Sequence, residues 1–570
     1  MTVAGDHRIN ARGLVVTWIA VAAIPVAWVL GIRSGFARGD SDLASATTSE
    51  SMPSVQTAPA ITQPRTGRPG VTRLDPYVLV SVALAIWAVG VVVQHTWAAD
   101  FLLHVATVKS MARDLGHPPD PMVGSGYGSP YYSPYILLAA ILVRVTALSP
   151  TAVFCGLALV NMGLLLWAFR RFCGWFTSSW GATFALLATL FLWGLQPPVW
   201  SGFLSMRSLA EVLPYPSTLA FSLMLLVWDQ LLRYRGRPAH WRLAVLALLA
   251  AMIALVHSFT ALATAIGAIA ILVAYRSQWR GRDLLGIAVA GLGALLLVLA
   301  WPYSSLAELF SAGPELTQIH RRLLDDMIDP HQLSFVYGLF GVVPMIARLR
   351  ASRTDPLAVM FGLSAAVIVA AVVTSQYEFL RVVPVVMLAG HVALGAFIAN
   401  AGSASVEWRR GLAAIVALVL VAGMTVDITP LNGFVAAVPI TWLPRSMQSM
   451  AHTPSLAGPS HQFDFVASYL PPGSTVLADT NSSDRLLNWL GYYTVNPGWP
   501  DPWLADGAQR TKDRITFLRS GTSPAVRAEI LARYRARCAL ITATPSVAAP
   551  GAVSGFHLVR TWTGGALLCA

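Results

Sequence analysis

The chain has 570 residues, 55% of them apolar and 12% charged, with a net charge of +12. Its apolar residues fall in repeated runs of about 17 to 20, the length that spans a bilayer core, which excludes an ordinary soluble enzyme and a lone secretory signal. The positive balance does not indicate a nucleic-acid partner: lysine occurs only at 109 and 512, and the arginines lie between apolar runs, where the positive-inside rule puts them.

In chain order, the first apolar run is Gly13–Gly31. A segment from about Arg33 to Arg73, rich in Ser, Thr, Ala and Pro, cannot bury a core and is expected to be disordered. Tyr77–Gln94 is the second run, and others lie near 151–169, 179–195, 216–232, 242–256, 259–275, 283–301, 333–347, 356–374, 382–400 and 411–429. The expectation is an α-helical polytopic bundle of about twelve spans. Arginine clusters at 170–171, 233–242, 276–282, 348–353 and 409–410 recur every second span. Placing them in the cytoplasm makes 97–150, 196–215, the turn at His257, 303–332, 375–381 and everything after Asp427 extracytoplasmic. It also puts the 33–73 linker inside. The compartment expected is the bacterial inner (plasma) membrane.

Tyr135–Leu148 is apolar, short and flanked by prolines, and reads as a helix on the outer membrane surface. From about Thr441 the composition turns soluble. Ser474–Asp479 and Cys538–Thr542 read as strands, 507–519 and 523–537 as helices, and the end from Phe556 as a hairpin. Three domains result: 1–76, an N-terminal span and cytoplasmic linker; 77–430, a transmembrane domain with an extracytoplasmic loop at 96–150; and 431–570, a small extracytoplasmic α/β domain. Of four cysteines, Cys155 and Cys173 fall in or beside spans. Cys538 and Cys569 either pair in an oxidising compartment or stay as two buried thiols.

The first long external loop holds the sharpest chemical signal. It opens Ala98-Ala-Asp-Phe-Leu-Leu-His104 and runs through Lys109, Arg113 and His117 to Tyr131-Tyr-Ser-Pro-Tyr135. Asp100 and His104, four apart, share one face of a helix. An outward-facing acid just after a span is placed to take a proton from an acceptor hydroxyl; the bland alternative is a helix cap beside a headgroup-level histidine.

That Asp, the His four residues on, the Gly116-His-Pro-Pro119 turn and the Tyr/Pro-rich entry to a surface helix resemble the GT-C superfamily of membrane glycosyltransferases. The resemblance covers the plan of 77–570. It implies sugar transfer from a polyprenyl-phosphate donor to a glycan or lipid acceptor of the cell envelope, with Asp100 as catalytic base and His104 accompanying it. The sequence departs from the metal-using branch, because no Asp-x-Asp or Asp-Glu pair lies near Asp100 and the next acids are Asp114 and Asp120. No cofactor is expected, and a divalent metal has no supporting motif, although a site shared between loops stays open.

A carrier phosphate needs positive charge at the outer face. Arg381, in a short external turn, offers a planar two-pronged donor, unless Glu378 three residues earlier pairs with it. Arg207 and Glu211 are a second candidate, or a helical salt bridge. Lys109 is a further donor-phosphate candidate. His257 is either functional or a hydrogen-bonded turn residue. In the loop from Tyr303, His320 or Arg321 reaches the phosphate if that loop folds over the cavity. Trp200, Trp301 and the tyrosines at 127, 131 and 132 suit sugar stacking or the aromatic belt. In the C-terminal domain, 477–481, Tyr492-Tyr493 and Trp499–Trp503 suit a carbohydrate surface or domain packing. Walker, nucleophile-elbow and zinc spacings are absent from the sequence. The rival reading, a transporter or flippase of lipid-linked sugars, calls for paired half-sequences and mid-membrane charges, and the sequence shows no clear repeat.

Overall fold

The computed structural model describes residues 75–94, 97, 100–124, 128–194, 198–303, 314–329, 341–401, 442, 461–498, 504–543, 547, 549, 551–562 and 564–570. The expected span at 13–31, the linker at 33–73, the span near 411–429, Tyr127 and the Trp499–Trp503 segment lie outside the described residues. The chain divides into two compact units, Met1–Leu79 and Val80–Ala570. In the first, the described part is the opening of helix α1 (Pro76–Gln94), where the Asp75 carboxylate accepts from the Tyr77 amide at 2.9 Å.

In the second unit come α2 (Phe101–Arg113), α3 (Pro134–Thr146), α4 (Pro150–Cys173), α5 (Ser179–Phe191), α6 (Met206–Val212) and α7 (Pro216–Gly236). There follow α8 (His240–Val256), α9 (Ser258–Ala274), α10 (Gly281–Leu299), α11 (Pro314–Ile328), α12 (Val342–Ala351), α13 (Pro356–Val373) and α14 (Val383–Ala401). A 3₁₀ turn at Tyr377–Val382 links α13 to α14. Starts are set locally: Ser133, Ser149 and Ser178 cap α3, α4 and α5 with their hydroxyls, and proline opens α3 and α4.

Five described helices are long and apolar enough to cross a membrane: α1, α4, α10, α13, and α14 taken with its leading turn. A sixth arises if α6 and α7, bent by 120°, form one broken span. The expectation of about twelve spans is therefore resolved more coarsely. The apolar helices α3, α5, α8 and α9 have 13 to 17 residues; at about 1.5 Å per residue they fall short of a roughly 30 Å hydrocarbon core. Of the expected span at 333–347, residues 333–340 lie outside the described residues, and the remainder falls in α12. The segment expected to be helical from Tyr135 forms helix α3, burying Tyr135, Ile136, Ala139 and Ala140 while Leu138, Ile141 and Val145 face outward.

One end of the bundle is basic. The buried Asp229 of α7 accepts from Arg171 at 3.0 and 3.1 Å, from Arg233 at 2.9 and 3.0 Å and from Trp175 at 3.0 Å. Arg235 stacks on Tyr275 at 3.6 Å, and Arg348 pairs with Asp355 at 2.7 Å. Four arginine clusters of the sequence thus gather where α4, α7, α9 and α12 end.

The C-terminal domain is a five-stranded sheet in the order β2-β1-β3-β5-β4, formed by β1 (Thr475–Ala478), β2 (Tyr493–Thr494), β3 (Ala536–Ile541), β4 (His557–Trp562) and β5 (Gly565–Cys569). The first three are parallel and the last two antiparallel. Helix α15 (Asn481–Leu490) connects β1 to β2, and α16 (Gly507–Leu518) and α17 (Pro524–Arg533) connect β2 to β3. Two apolar layers cover the sheet, one around Phe517, Leu531 and Leu568, the other around Phe463, Val476 and Leu540. Cys538 and Cys569 are register partners across β3 and β5 and form a disulfide, which resolves the open choice toward pairing. Sequence did not anticipate α15.

Candidate active site

The site is built around the start of α2. Trp97 and Phe101 stack at 4.9 Å, and Phe101 meets Phe154 of α4 edge-on at 5.4 Å, which fixes where the helix begins. Asp100 occupies the cap position with helical backbone angles, yet its side chain accepts no hydrogen bond from the helix amides. The capping role is not what the carboxylate does; it points to charge instead. Arg485, on α15 of the C-terminal domain, brings Nη2 to 3.9 Å from Asp100 Oδ1. Burial raises the Asp100 pKa above the usual carboxylate range, while Arg485 and then Arg381 pull it back. The side chain keeps 29% exposure, so solvent moderates that shift.

His104 lies one turn on and joins its amide to the Asp100 carbonyl at 2.9 Å. Its ring turns into aromatic packing, edge-on to Tyr215 at 4.8 Å and Tyr131 at 5.7 Å. Nδ1 is buried without a hydrogen-bond partner among the described residues, and burial holds the imidazole neutral, its pKa pushed down to about 3. It does not hydrogen-bond the Asp100 carboxylate among those residues. Tyr215 is itself placed by an asparagine that sequence reading passed over. In α4, Asn161 Nδ2 donates to the carbonyls of Leu213 at 2.9 Å and Tyr215 at 3.3 Å and to the Tyr135 hydroxyl at 3.2 Å. A lone asparagine inside an apolar span was the available signal.

Arg381 sits across from Asp100, near enough for each to act on the other's charge. Its guanidinium carbon lies 5.1 Å from the Phe259 ring centroid and 5.3 Å from that of Trp200. Nε and Nη1 are buried with no hydrogen-bond partner among the described residues. Glu378, the expected alternative partner, instead accepts from Thr317 of α11 at 3.0 Å. His257 caps α9: the Thr260 amide donates to Nδ1 at 3.3 Å, which assigns the ring proton to Nε2, 3.5 Å from the Ser201 hydroxyl. It is a hydrogen-bonded turn residue, and it is also within electrostatic reach of Arg381.

Helix α11 does fold over this end. His320 is buried, 5.0 Å from Phe259 and 5.7 Å from Trp200, whose indole donates to Asp326 at 3.2 Å. Arg321, the other candidate on this helix, is exposed. Lys109 is also placed away from an anion: its ammonium donates to the Trp489 carbonyl and lies 5.3 Å from that indole's centroid, fastening the C-terminal domain to α2. Burial first, then Arg113, lowers its pKa to about 8. Arg207 acts electrostatically on Glu211 within α6 and is not among the charges acting on Asp100. The structure thus brings together Asp100, His104, His257 and Arg381 and adds His320 and Arg485; Lys109, Arg207 and Arg321 are not among the charges acting on Asp100.

Among the described residues no three His, Cys, Asp or Glu side chains are grouped to hold a metal ion, and the charges acting on Asp100 are guanidinium groups rather than acids.

No family model matches the chain, and no curated protein matches it. Among solved structures it is similar to the archaeal oligosaccharyltransferase AglB from Archaeoglobus fulgidus, determined with an inhibitory peptide and a dolichol-phosphate. The two share 10% identity over 82% of this chain and 69% of that one, with a TM-score of 0.47. A likeness at that level assigns neither a family nor a reaction.

Proposed function

We propose that the protein is a GT-C-like membrane glycosyltransferase that moves a sugar from a polyprenyl-phosphate donor to a glycan or lipid acceptor at the extracytoplasmic face of a bacterial plasma membrane. The observation that carries this reading is Arg381, a buried guanidinium with two nitrogens that have no hydrogen-bond partner among the described residues, facing a carboxylate that does not cap its helix. Buried guanidinium nitrogens without hydrogen-bond acceptors are costly, and an anionic phosphate fits both the charge and the fork of this side chain. An apolar groove of about 350 Å³ between α9 and α13, lined by Ile266, Ile269, Leu363, Ala366, Val367 and Ala370, accommodates part of a prenyl chain.

In this reaction Asp100 takes the proton of the acceptor hydroxyl as its oxygen attacks the anomeric carbon. The bond from that carbon to the phosphate oxygen breaks, and polyprenyl phosphate leaves with its charge held by Arg381. Displacement from the opposite face inverts the anomeric centre. His257 and His320, both beside Arg381, contribute donors at the phosphate. The disulfide supports an extracytoplasmic C-terminal domain, since such bonds persist in oxidising compartments.

The test is sugar transfer by the purified full-length protein with a panel of radiolabelled polyprenyl-phosphate sugars, wild type against Asp100→Asn. Loss of a positioned general base lowers the rate by roughly 100-fold or more. Full activity of Asp100→Asn, or no transfer from any donor by folded protein, overturns the reading; the second outcome shifts weight to movement of lipid-linked sugars.

A further inference from the structure

Helix α15 lies against α2, and its sequence explains the fit. Arg485, Asn488 and Trp489 are three and four apart, so they share one face, and each meets the membrane domain. Asn488 Nδ2 donates to the Met122 carbonyl at 2.9 Å, the Thr494 amide reaches that same carbonyl at 2.7 Å, and Trp489 receives Lys109. Beside that face Asp484 and Leu487 are buried within the C-terminal domain. The Arg485 stem is held from behind: Nε donates to the Gly498 carbonyl at 3.1 Å. A Cβ on Gly498 would fall 2.7 Å from Arg485 Cγ and 3.2 Å from the Asn481 carbonyl oxygen. Arg485 is therefore aimed by its own domain at a carboxylate of the other.

We infer that Arg485 is a positioning residue of the catalytic centre, holding the Asp100 carboxylate charged and aimed, and that the C-terminal domain is thereby part of the active site. The inference rests on the reading of Asp100 as the base. The groups around that carboxylate are His104 on its own helix, Tyr215 ahead of α7 with Glu211 behind it, Arg381 from the 3₁₀ turn with His257 beyond it, and Arg485. His104 is neutral. Among the described residues only the two arginines favour the ionised form, and they come from separate elements. In a partly desolvated setting each counts for more than it would in water. Taking away Arg485 leaves Asp100 easier to protonate, so the base is lost at a higher pH.

The experiment is the kcat–pH profile of full-length protein in lipid nanodiscs for wild type, Arg485→Gln, Arg485→Lys and Gly498→Ala, with Asp100→Asn as reference. The acid limb moves to higher pH in Arg485→Gln, lowering kcat on that side about tenfold, the effect of losing one close opposite charge. Arg485→Lys restores most of the limb position. Gly498→Ala displaces the guanidinium with every charge retained and shifts the limb in the same direction. A merely structural role would lower activity evenly across pH. Superimposable limbs in wild type and Arg485→Gln, with Asp100→Asn inactive, overturn the inference and leave the proposed reaction standing. Should Arg485→Gln not fold, by melting temperature and monodispersity, an unmoved limb in Gly498→Ala overturns it instead. An active Asp100→Asn removes the base assignment itself, and this inference with it.

Discussion

Arg381 and Asp100 are both sites where function and stability pull apart. Two guanidinium nitrogens of Arg381 are buried and unsatisfied among the described residues, and such groups cost about 1–3 kcal/mol each. Arg381→Met, similar in length and apolar, is expected to raise the melting temperature while abolishing transfer; a lowered melting temperature would show that the guanidinium is satisfied in the apo protein. For Asp100 the sign follows from burial, which raises its folded pKa above the unfolded value. Ionising it therefore opposes folding, and the penalty grows as pH rises above the unfolded value. Asp100→Asn should unfold at the same or a higher temperature than wild type at neutral pH, which separates its loss of activity from misfolding. Asp100 was legible because an acid directly after an apolar run is conspicuous. Arg381 was legible as a charge in a short external turn. Arg485 was not, because nothing local distinguishes it from an ordinary arginine on an amphipathic helix, and its importance comes only from what the fold sets opposite it.

At the scale of elements, α15 was missed because Asn481-Ser-Ser reads as a turn and ten residues leave little room for periodicity. The Thr480 hydroxyl caps it and Gly491, at φ +99°, ends it, so the signals were present but short. Strands β1 and β3, the β4–β5 hairpin and the α16–α17 pair were legible from their apolar runs and turn residues, whereas the two-residue β2 was not anticipated. The docking face depends on Gly124, at φ +69°, where a Cβ would fall 2.4 Å from the Tyr493 ring. Gly124→Ala should loosen the C-terminal domain from α2, measured as faster amide exchange in both Phe101–Arg113 and Asn481–Leu490. The Cys538–Cys569 disulfide closes a separation of 31 residues, for which loop-closure entropy gives about 3–4 kcal/mol. Replacing both cysteines by serine should lower the stability of the C-terminal domain by that order in denaturant titration; an unchanged midpoint would mean that the bridge constrains nothing.

Across the whole molecule, the charge that sequence read as a topological signal also does structural work at the end away from the site. Asp229 holds Arg171, Arg233 and Trp175 together there. Asp229→Asn leaves these arginines without their acid and should cost about 2–3 kcal/mol, after allowing for solvent around the partly exposed Arg233. Because α7 separates Asp229 from the site by most of its length, the donor KM should not change; a raised KM would couple the two ends. The alternation of arginine clusters was enough to group one end of the helices. It could not show where α5 stops, since its apolar run continues past Phe191; α8 and α9 end within one residue of their expected runs.

The two halves of the candidate centre are far apart along the chain, with Asp100 near its start and Arg485 toward its end. During synthesis at about 5–20 residues per second, the membrane helices exist for tens of seconds before the segment that carries Arg485 has left the ribosome. The sheet of that domain must then form before α15 can dock on α2. A half-made chain therefore carries Asp100 and Arg381 without Arg485, and the candidate centre is complete only once the last quarter of the chain has folded.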